Sequence, residues 1–422
     1  MIEAEVISLG HSGDGVIMHE GGRKYVAYAA PGDRLQLALG DQETDRARII
    51  QVLQPGKDRA TPDCIHFGDC GGCALQHLTG RFVAQWKRQQ IVNVLAQRGL
   101  RDVLVRPVLT MPPGTRRRAA FTARRTARGV EIGFNRSRSR QIVAIKACAV
   151  LDPAITRALP ELSVMLMPVL QPGKTARLLV TQTREGLDAD ISPETGRREE
   201  PDLGLRDHLA QAAERLDLAR LSWRGEVVLT RRQPRVYPGE IAVSLPPAAF
   251  LQASAEGEAA LTACVTEAIG EKLLMARGAR LLDLFAGCGA FTFPVARYAK
   301  VMAVEGDKAM AAAIRDAGDH AQGIKPVKVQ QRDLMKRPFR PEELSAFDAV
   351  VFDPPRAGAS RQAEMLASSE IRRVVSVSCN PATFARDARI LTDGGLHLQW
   401  VQPVDQFRWS AEIELVALFA RR

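Results

Sequence analysis

The sequence predicts an α/β protein: a doubly wound parallel sheet in the C-terminal part, a small β domain at the N-terminus, and a mixed α+β region between them. Three observations predict it. From about residue 255, short apolar strands alternate with helical stretches, the pattern of a parallel sheet. The first strand of that series, "LLDLFAGCGAF", runs through an acid into a glycine-rich turn. The chemically reactive residues of the series fall at carboxyl ends of strands, where open α/β sheets bind ligands.

Residues 1 to about 55 alternate apolar and polar residues around glycine-rich turns ("EAEVISLGHSGDGVIM", "KYVAYAAPGDRLQLAL", "RARIIQVL"), the pattern of a small barrel of a kind often used on RNA. "QPGKDRATPD" reads as a linker. A cysteine-rich knot follows, and then a helix over about 79–97 whose apolar face carries Phe82, Trp86, Ile91 and Leu95. Up to about residue 245, strands such as "ARLLVTQT" mix with a helix around Arg206–Leu216, and "GRREEPDLG" reads as a polar loop. The terminal series then sets out helices over 257–274, 291–299, 308–321, 361–368 and 382–391. Interleaved with them are strands within 279–287, 300–307, 327–333, 347–358 and 372–381, and two closing strands over 397–405 and 411–420.

Composition narrows the class. The 422 residues suffice for two or three domains, and 46% hydrophobic with 25% charged residues is the mix of a soluble globular protein. No apolar run approaches the roughly 18 residues of a spanning helix, and "MIEAEVISLGHSGDG" has no signal pattern. A cytoplasmic location follows as the expectation. Seven cysteines, an odd number, suit thiols or metal ligands better than disulfides. The formal charge is +10, and Gly114–Lys146 holds ten basic residues, nine of them arginine, against one acid, Glu131. Displayed from a sheet, these arginines would grip a nucleic-acid backbone; a solvated basic face is the plainer reading.

In the glycine-rich turn, Asp283 precedes Gly287 and Gly289, and the next strand ends in Glu305, placed for ribose hydroxyls. The third glycine of a dinucleotide fingerprint is absent, since Thr292 and Phe293 follow Phe291. That weakens NAD and suits S-adenosylmethionine (SAM), which needs no pyrophosphate cradle. "VVFDPPRAG" places Asp353 at a strand end before two stiffening prolines. "RRVVSVSCNPATFARDARIL" puts Cys379 at a strand end, with Asn380 as N-cap and Pro381 as first residue of the next helix. A strand cysteine is commonly a small hydrophobe; here the helix dipole beside the sulfur would favour thiolate.

These motifs, with "FLQAS" (Phe250–Ser254), "VSCNP" and the terminal "VDQFRWSAEIELVALF", resemble the uracil-5 RNA methyltransferases over nearly the whole chain. The resemblance implies a Rossmann-like class I SAM methyltransferase domain over 246–422, a TRAM-like (OB-like) β-barrel over 1–55, and a central RNA-binding domain over 56–245 whose helix 79–97 packs on the catalytic domain. It implies that Cys379 is the nucleophile and Glu414 the base. Glu412, two residues before and on the same strand face, stands where the family usually has His. Gln252, Phe285, Glu305, Asp333 and Asp353 are implied SAM contacts, with Asp353 also placed for the uracil edge. Ala290, where the family often has Asn, and "FRWS", in place of Pro-His-Thr, depart from the pattern.

Cys64, Cys70 and Cys73 form C-x5-C-x2-C, and Cys148 lies downstream. Spacing alone admits zinc or iron–sulfur. The resemblance to the ribosomal-RNA branch of the family implies a [4Fe–4S] cluster on these four, leaving His66 and His77 aside. The implied substrate is a uridine of 23S rRNA. A tRNA uridine methyltransferase is the neighbouring reading; that branch typically lacks the four-cysteine site, so the knot argues for rRNA. A non-catalytic iron–sulfur RNA-binding protein is the reading from another class.

Overall fold

Apolar runs such as "RLLDL", "AVVF" and "RVVSVS" make strands covered on both faces. In the computed structural model, which describes residues 1–40, 45–194 and 200–421, they lie at the centre of one large sheet. Its principal strands are β1 (Arg280–Leu284), β2 (Lys300–Glu305), β3 (Val327–Gln331), β4 (Ala349–Phe352), β5 (Arg373–Ser378), β6 (His397–Asp405) and β7 (Glu414–Ala420). Their order is β3-β2-β1-β4-β5-β7-β6. β1 to β5 run parallel, and β7 enters antiparallel between β5 and β6. The order reverses at β1 and β4, so the loops leaving those strands diverge and open a crevice.

Alternation along each strand builds two cores. Leu282, Leu284, Val350, Phe352 and Val374 face one side of the sheet; Leu281, Ala349, Val351, Val375 and Val377 face the other. The first core also takes in Ile91 and Leu95 of the early helix Gly80–Gln97, which is capped by Thr79 and packs on helix Pro381–Asp393. The chain then adds two short strands, Leu104–Val105 and Leu109–Thr110, parallel to β6. Segment 80–110 therefore completes the C-terminal sheet although a whole second sheet follows it in sequence. The buried face of its helix holds Val83, Trp86, Lys87, Ile91 and Leu95, with Phe82 only half-buried.

Several expected boundaries move. The helix expected over 257–274 breaks at Gly270, at φ 84°, into Ala255–Ile269 and Glu271–Leu274. The one expected over 291–299 shrinks to Thr292–Ala296. The last strand begins at Glu414, so Glu412 lies in the loop before it and the two acids do not share a strand face.

The middle of the chain folds as a seven-stranded sheet, from Ile142–Ala144 at one edge to Glu226–Thr230 at the other. Helices Pro153–Met165 and Leu203–Arg215 pack on it through Ile155, Leu159, Leu162 and Leu209. The loop expected at 196–204 lies partly outside the described residues. The arginines of 114–146 do not form one displayed patch. Arg117 pairs with Glu258 at 2.6 Å and Arg124 with Glu131 at 3.0 Å, while Arg116 and Arg118 bond main-chain carbonyls. The solvent-exposed arginines are Arg128 and, in the "NRSRSR" turn, Arg140, Arg136 and Arg138, the last two pairing with Asp69 at 3.1 Å and Asp14 at 2.9 Å.

The N-terminal strands, six rather than the three expected, form one mixed sheet around Val6, Ile17, Val26, Leu35 and Leu37. Among the described residues no helix is long and apolar enough to cross a membrane.

Candidate active site and cysteine site

All the suspected side chains but Gln252, which comes from the loop before helix Ala255–Ile269, reach the crevice from the end or start of a strand. β1 delivers Phe285, which bonds the Val304 carbonyl through its amide at 3.0 Å and is held at φ 66°. A left-handed backbone at a bulky residue is strained, and such strain collects at ligand sites. Gly287 follows at φ 57°, where a Cβ would meet nothing within 4 Å, so the turn borders open space. β2 ends at Glu305, whose carboxylate accepts from the amides of Gly287 and Asp307, both at 2.8 Å. The loop after β3 brings Asp333, whose carboxylate accepts from the Met335 amide at 3.0 Å. β4 brings Asp353, and β5 brings Cys379. Asn380 caps helix Pro381–Asp393 as expected, accepting from the Ala382 amide at 3.0 Å. β7 begins with Glu414.

Gln252, Phe285, Glu305, Asp333, Asp353, Cys379 and Glu414 all line one cavity of about 500 Å³. Its other walls are mostly apolar and include Phe250, Phe291, Met310 and Leu334. A volume of this order suits a nucleoside-sized ligand.

The reactive end of this cavity is rich in acid. Burial pushes the Glu414 carboxyl up to about 7; Gln406 hydrogen-bonds it and opposes the rise, Glu412 repels it, and Arg356 attracts it. Burial, then Glu414 and Asp283, raise Asp353 well above the usual carboxylate range. Burial also raises Cys379 to about 11, with Glu414 and Asp353 adding to the rise and Arg356 opposing it. The helix N-terminus beside the sulfur therefore does not by itself make a thiolate, contrary to the sequence expectation. A poor solvent and two nearby carboxyls outweigh it.

The sequence did not reveal two features here. Arg356, at the cavity rim, makes a bidentate pair with Glu412 at 2.7 and 2.9 Å. That pair takes Glu412 away from the reactive end and leaves Glu414 as the buried carboxyl. Lys87, on the buried face of the early helix, bonds Asp405 at 2.6 Å with both side chains almost fully enclosed. The only trace of this pair in the sequence is a lysine beside Trp86 on an otherwise apolar face.

The knot forms a second site. Cys64, Cys70, Cys73 and Cys148 line a cavity of about 260 Å³. Among the described residues no group of three or more His, Cys, Asp or Glu side chains is arranged to hold a single metal ion. Burial raises Cys73 to about 12, and repulsion from the other three thiols adds to it. Burial and neighbouring thiols likewise raise Cys70 and Cys148. Four thiolates so placed need a cationic group between them. His66 also borders the cavity, but its Nε2 accepts from the Lys146 amide at 3.1 Å; His77 is buried and stacks on Phe67.

Comparison with known proteins adds relatives. Residues 248–422 match the family model described as tRNA (uracil-5-)-methyltransferase. An RNA methyltransferase of Brucella suis is 41% identical over 98% of this chain and 96% of its own length. The 23S rRNA (uracil(1939)-C(5))-methyltransferase RlmD of Chromohalobacter salexigens is 32% identical over 98% of this chain and 88% of its own. Among solved structures, the tRNA (uracil-54, C5)-methyltransferase of Pyrococcus abyssi, in complex with S-adenosyl-L-homocysteine, aligns over 99% of both chains with a TM-score of 0.74. At 22% identity this likeness concerns the fold, that of a SAM-dependent methyltransferase.

Proposed function

The chain belongs to the RNA uracil-5 methyltransferase family, whose members are SAM-dependent RNA methyltransferases. On that footing we propose that it methylates C5 of a uridine in 23S rRNA through a covalent bond from Cys379 to C6. The observation that carries the proposal is the convergence of Cys379, Glu414 and Asp353 with Phe285 and Glu305 on one cavity.

The residues fit SAM. Glu305, fixed by two amides, would accept from the ribose hydroxyls; Asp333, Phe285 and Gln252 line the same cavity and would hold the rest of the cofactor; and the open floor at Gly287 leaves room for it. When bound, SAM would supply the methyl group and a cationic sulfonium beside the acids of this pocket.

Uracil C5 is too weak a nucleophile to take a methyl group unaided. The thiolate form of Cys379, scarce because burial keeps the thiol protonated, adds to C6 after its proton passes to solvent; the C5–C6 double bond becomes an enolate, and C5 displaces the methyl group from the sulfonium, leaving a neutral thioether. Glu414 then removes the C5 proton, the double bond returns and the C6–S bond breaks, releasing the thiolate. A carboxyl poised near neutrality suits that proton transfer, because it is a competent base and is half available. Asp353, whose carboxyl burial raises above the usual range, lines the cavity where it could hydrogen-bond the uracil edge. The target base must leave its stack to reach Cys379.

The four-cysteine cavity fits a [4Fe–4S] cluster better than zinc. Ligands of a single ion must converge on one point, whereas these thiols surround a space. The cluster would fix the "NRSRSR" turn: Gly71 donates to Asn135 at 2.9 Å, and Cys70 pairs with Arg136. The exposed arginines beside it would grip phosphates. Residues 1–55 act as a TRAM-like barrel adding RNA affinity, 56–79 and 111–245 as the RNA-binding region, and 246–422 with segment 80–110 as the catalytic domain, in a cytoplasmic protein. The RlmD relative and the four cysteines favour rRNA; the matched family model keeps tRNA as the second reading. Incubation with SAM and either deproteinised 23S rRNA or bulk tRNA decides between them. The account expects 5-methyluridine in the rRNA, and methylation confined to tRNA would overturn the substrate assignment.

A further inference from the structure

The "FLQAS" segment, Phe250–Ser254, brings Gln252 to the cofactor cavity, yet it belongs to no strand of the catalytic sheet. It is gripped from two sides. On the catalytic side, Gln406 Nε2 donates to Gln252 Oε1 at 2.7 Å, and Gln406 Oε1 accepts from the Ala253 amide at 3.1 Å. On the other side the segment meets the central sheet. The Arg117 amide donates to the Ala253 carbonyl at 2.9 Å, and the Gln182 amide donates to the Arg117 carbonyl at 2.7 Å. Arg116 forms a single antiparallel bridge with Ser254. Phe250–Ser254 is thus laid along the residues that lead into strand Arg118–Thr126 of the central sheet.

The Arg117 side chain adds to this contact. Its Nε donates to the Gln252 carbonyl at 3.1 Å, and its Nη2 pairs with Glu258 at 2.6 Å, both side chains being 14% exposed. Glu258 lies near the start of helix Ala255–Ile269, which Ser254 caps by accepting from the Gly257 amide at 3.0 Å. One guanidinium therefore ties the Gln252 peptide to the helix that follows it, a double contact suited to a rigid planar fork. Glu258 borders both the cofactor cavity and a second cavity of about 730 Å³, whereas Arg117 borders the second alone. The pair stands in the partition between them. Val236 and Pro238, from the chain before residue 246, also line the cofactor cavity, so residues 246–422 do not close it by themselves.

We infer that Arg117 is a positioning residue for the cofactor. It sets the Gln252 peptide and the start of helix Ala255–Ile269, and through them one wall of the SAM site, from the region proposed to bind RNA. The arginine-rich composition of 114–146 points to phosphate contact; the inward geometry gives this arginine a different task. The inference rests on the reading of Gln252 as a SAM contact.

The test is equilibrium binding of SAM to the full-length protein, measured by calorimetry for wild type, Arg117→Met, Arg117→Lys and Gln252→Ala, with the melting temperature of each taken without SAM. Methionine keeps much of the stem and loses both side-chain bonds. SAM affinity should fall about tenfold, the scale of one charge-assisted bond. Affinity for RNA in the same preparation should fall less than about twofold, since no phosphate contact is lost. Lysine can still pair with Glu258, but as a compact point charge it cannot also hold the Gln252 carbonyl. It should therefore recover most of the melting temperature while SAM affinity stays about fivefold below wild type. Wild-type SAM affinity in Arg117→Met overturns the inference. So does a lysine variant that regains stability and SAM affinity together, or an equal loss of SAM and RNA affinity, because either marks a merely structural role. Gln252→Ala should also bind SAM more weakly. If it binds SAM as wild type does, the cofactor reading of Gln252 fails; a normal Arg117→Met beside a weakened Gln252→Ala sinks the inference alone.

Discussion

Replacing Lys87 by methionine tests how the early helix is fastened to the active-site loop. Nζ lies 2.6 Å from Asp405 Oδ1, and the two side chains are 0% and 3% exposed. At an effective dielectric constant of about 20, that separation corresponds to a gross attraction of about 6 kcal/mol, set against several kcal/mol for desolvating each ion. Burial pulls the Lys87 ammonium below its usual range, and Asp405 opposes that fall. Methionine preserves most of the buried stem but leaves Asp405 enclosed with only the Phe407 amide, at 3.1 Å. Stranding a buried charge in this way costs about 3–5 kcal/mol. Lys87→Met should lower denaturant stability by about that amount and speed hydrogen exchange in helix Gly80–Gln97 and in 405–411. Lys87→Met/Asp405→Leu should recover most of the loss, since neither charge then remains. A single-variant cost under about 1 kcal/mol, or no recovery in the double variant, would refute the reasoning.

Other outcomes follow from the same geometry. Alkylation of Cys379 by iodoacetamide in the free protein should be slow at neutral pH and accelerate as pH rises toward its pKa of about 11; fast alkylation at neutral pH would show that the acid-rich pocket does not suppress the thiolate. Cys73→Ser should lose the iron and brown colour of anaerobically purified protein and bind RNA more weakly; a colourless, zinc-containing wild type would end the iron–sulfur assignment. Burial pushes the Asp33 carboxyl up, but Arg59, at 2.5 Å, and the amides of Gly56 and Ala30 outweigh burial and hold it below the usual range. Its folded pKa being depressed, it contributes stability above its unfolded pKa and loses it as pH falls through the folded value. Hydrogen exchange in the N-terminal sheet should therefore distinguish wild type from Asp33→Asn at neutral pH and converge in acid; equal protection at neutral pH would contradict this.

The catalytic sheet was legible because its central strands are largely apolar and several of its turns carry glycine or proline. The strand 397–405 and the helix after Cys379 fall where the periodicity puts them. Phe285, Glu305, Asp333, Asp353 and Cys379 meet because the carboxyl ends of parallel strands share one edge; Glu414 joins them from the start of antiparallel β7 and Gln252 from the loop before helix Ala255–Ile269. What stayed hidden was non-local. Lys87 and Asp405 are 318 residues apart, and nothing in either neighbourhood announces the pair. Gln406 reads as an ordinary loop residue until Gln252 and Gly257 close on it. The arginine-rich segment misled because composition counts charges without saying which ones turn inward, as Arg117 does toward Glu258. The thiolate expectation for Cys379 failed for a related reason: the helix cap is local in sequence, whereas the opposing carboxyls arrive from β4 and β7.

Mass spectrometry of a trapped complex tests the central claim most directly. Glu414→Gln is incubated with SAM and substrate RNA, then digested with nuclease and protease. The account predicts a peptide containing Cys379 that carries one methylated uridine, absent when Cys379 is also replaced by alanine. An unmodified Cys379 peptide, with methylation persisting in Cys379→Ala, would contradict it.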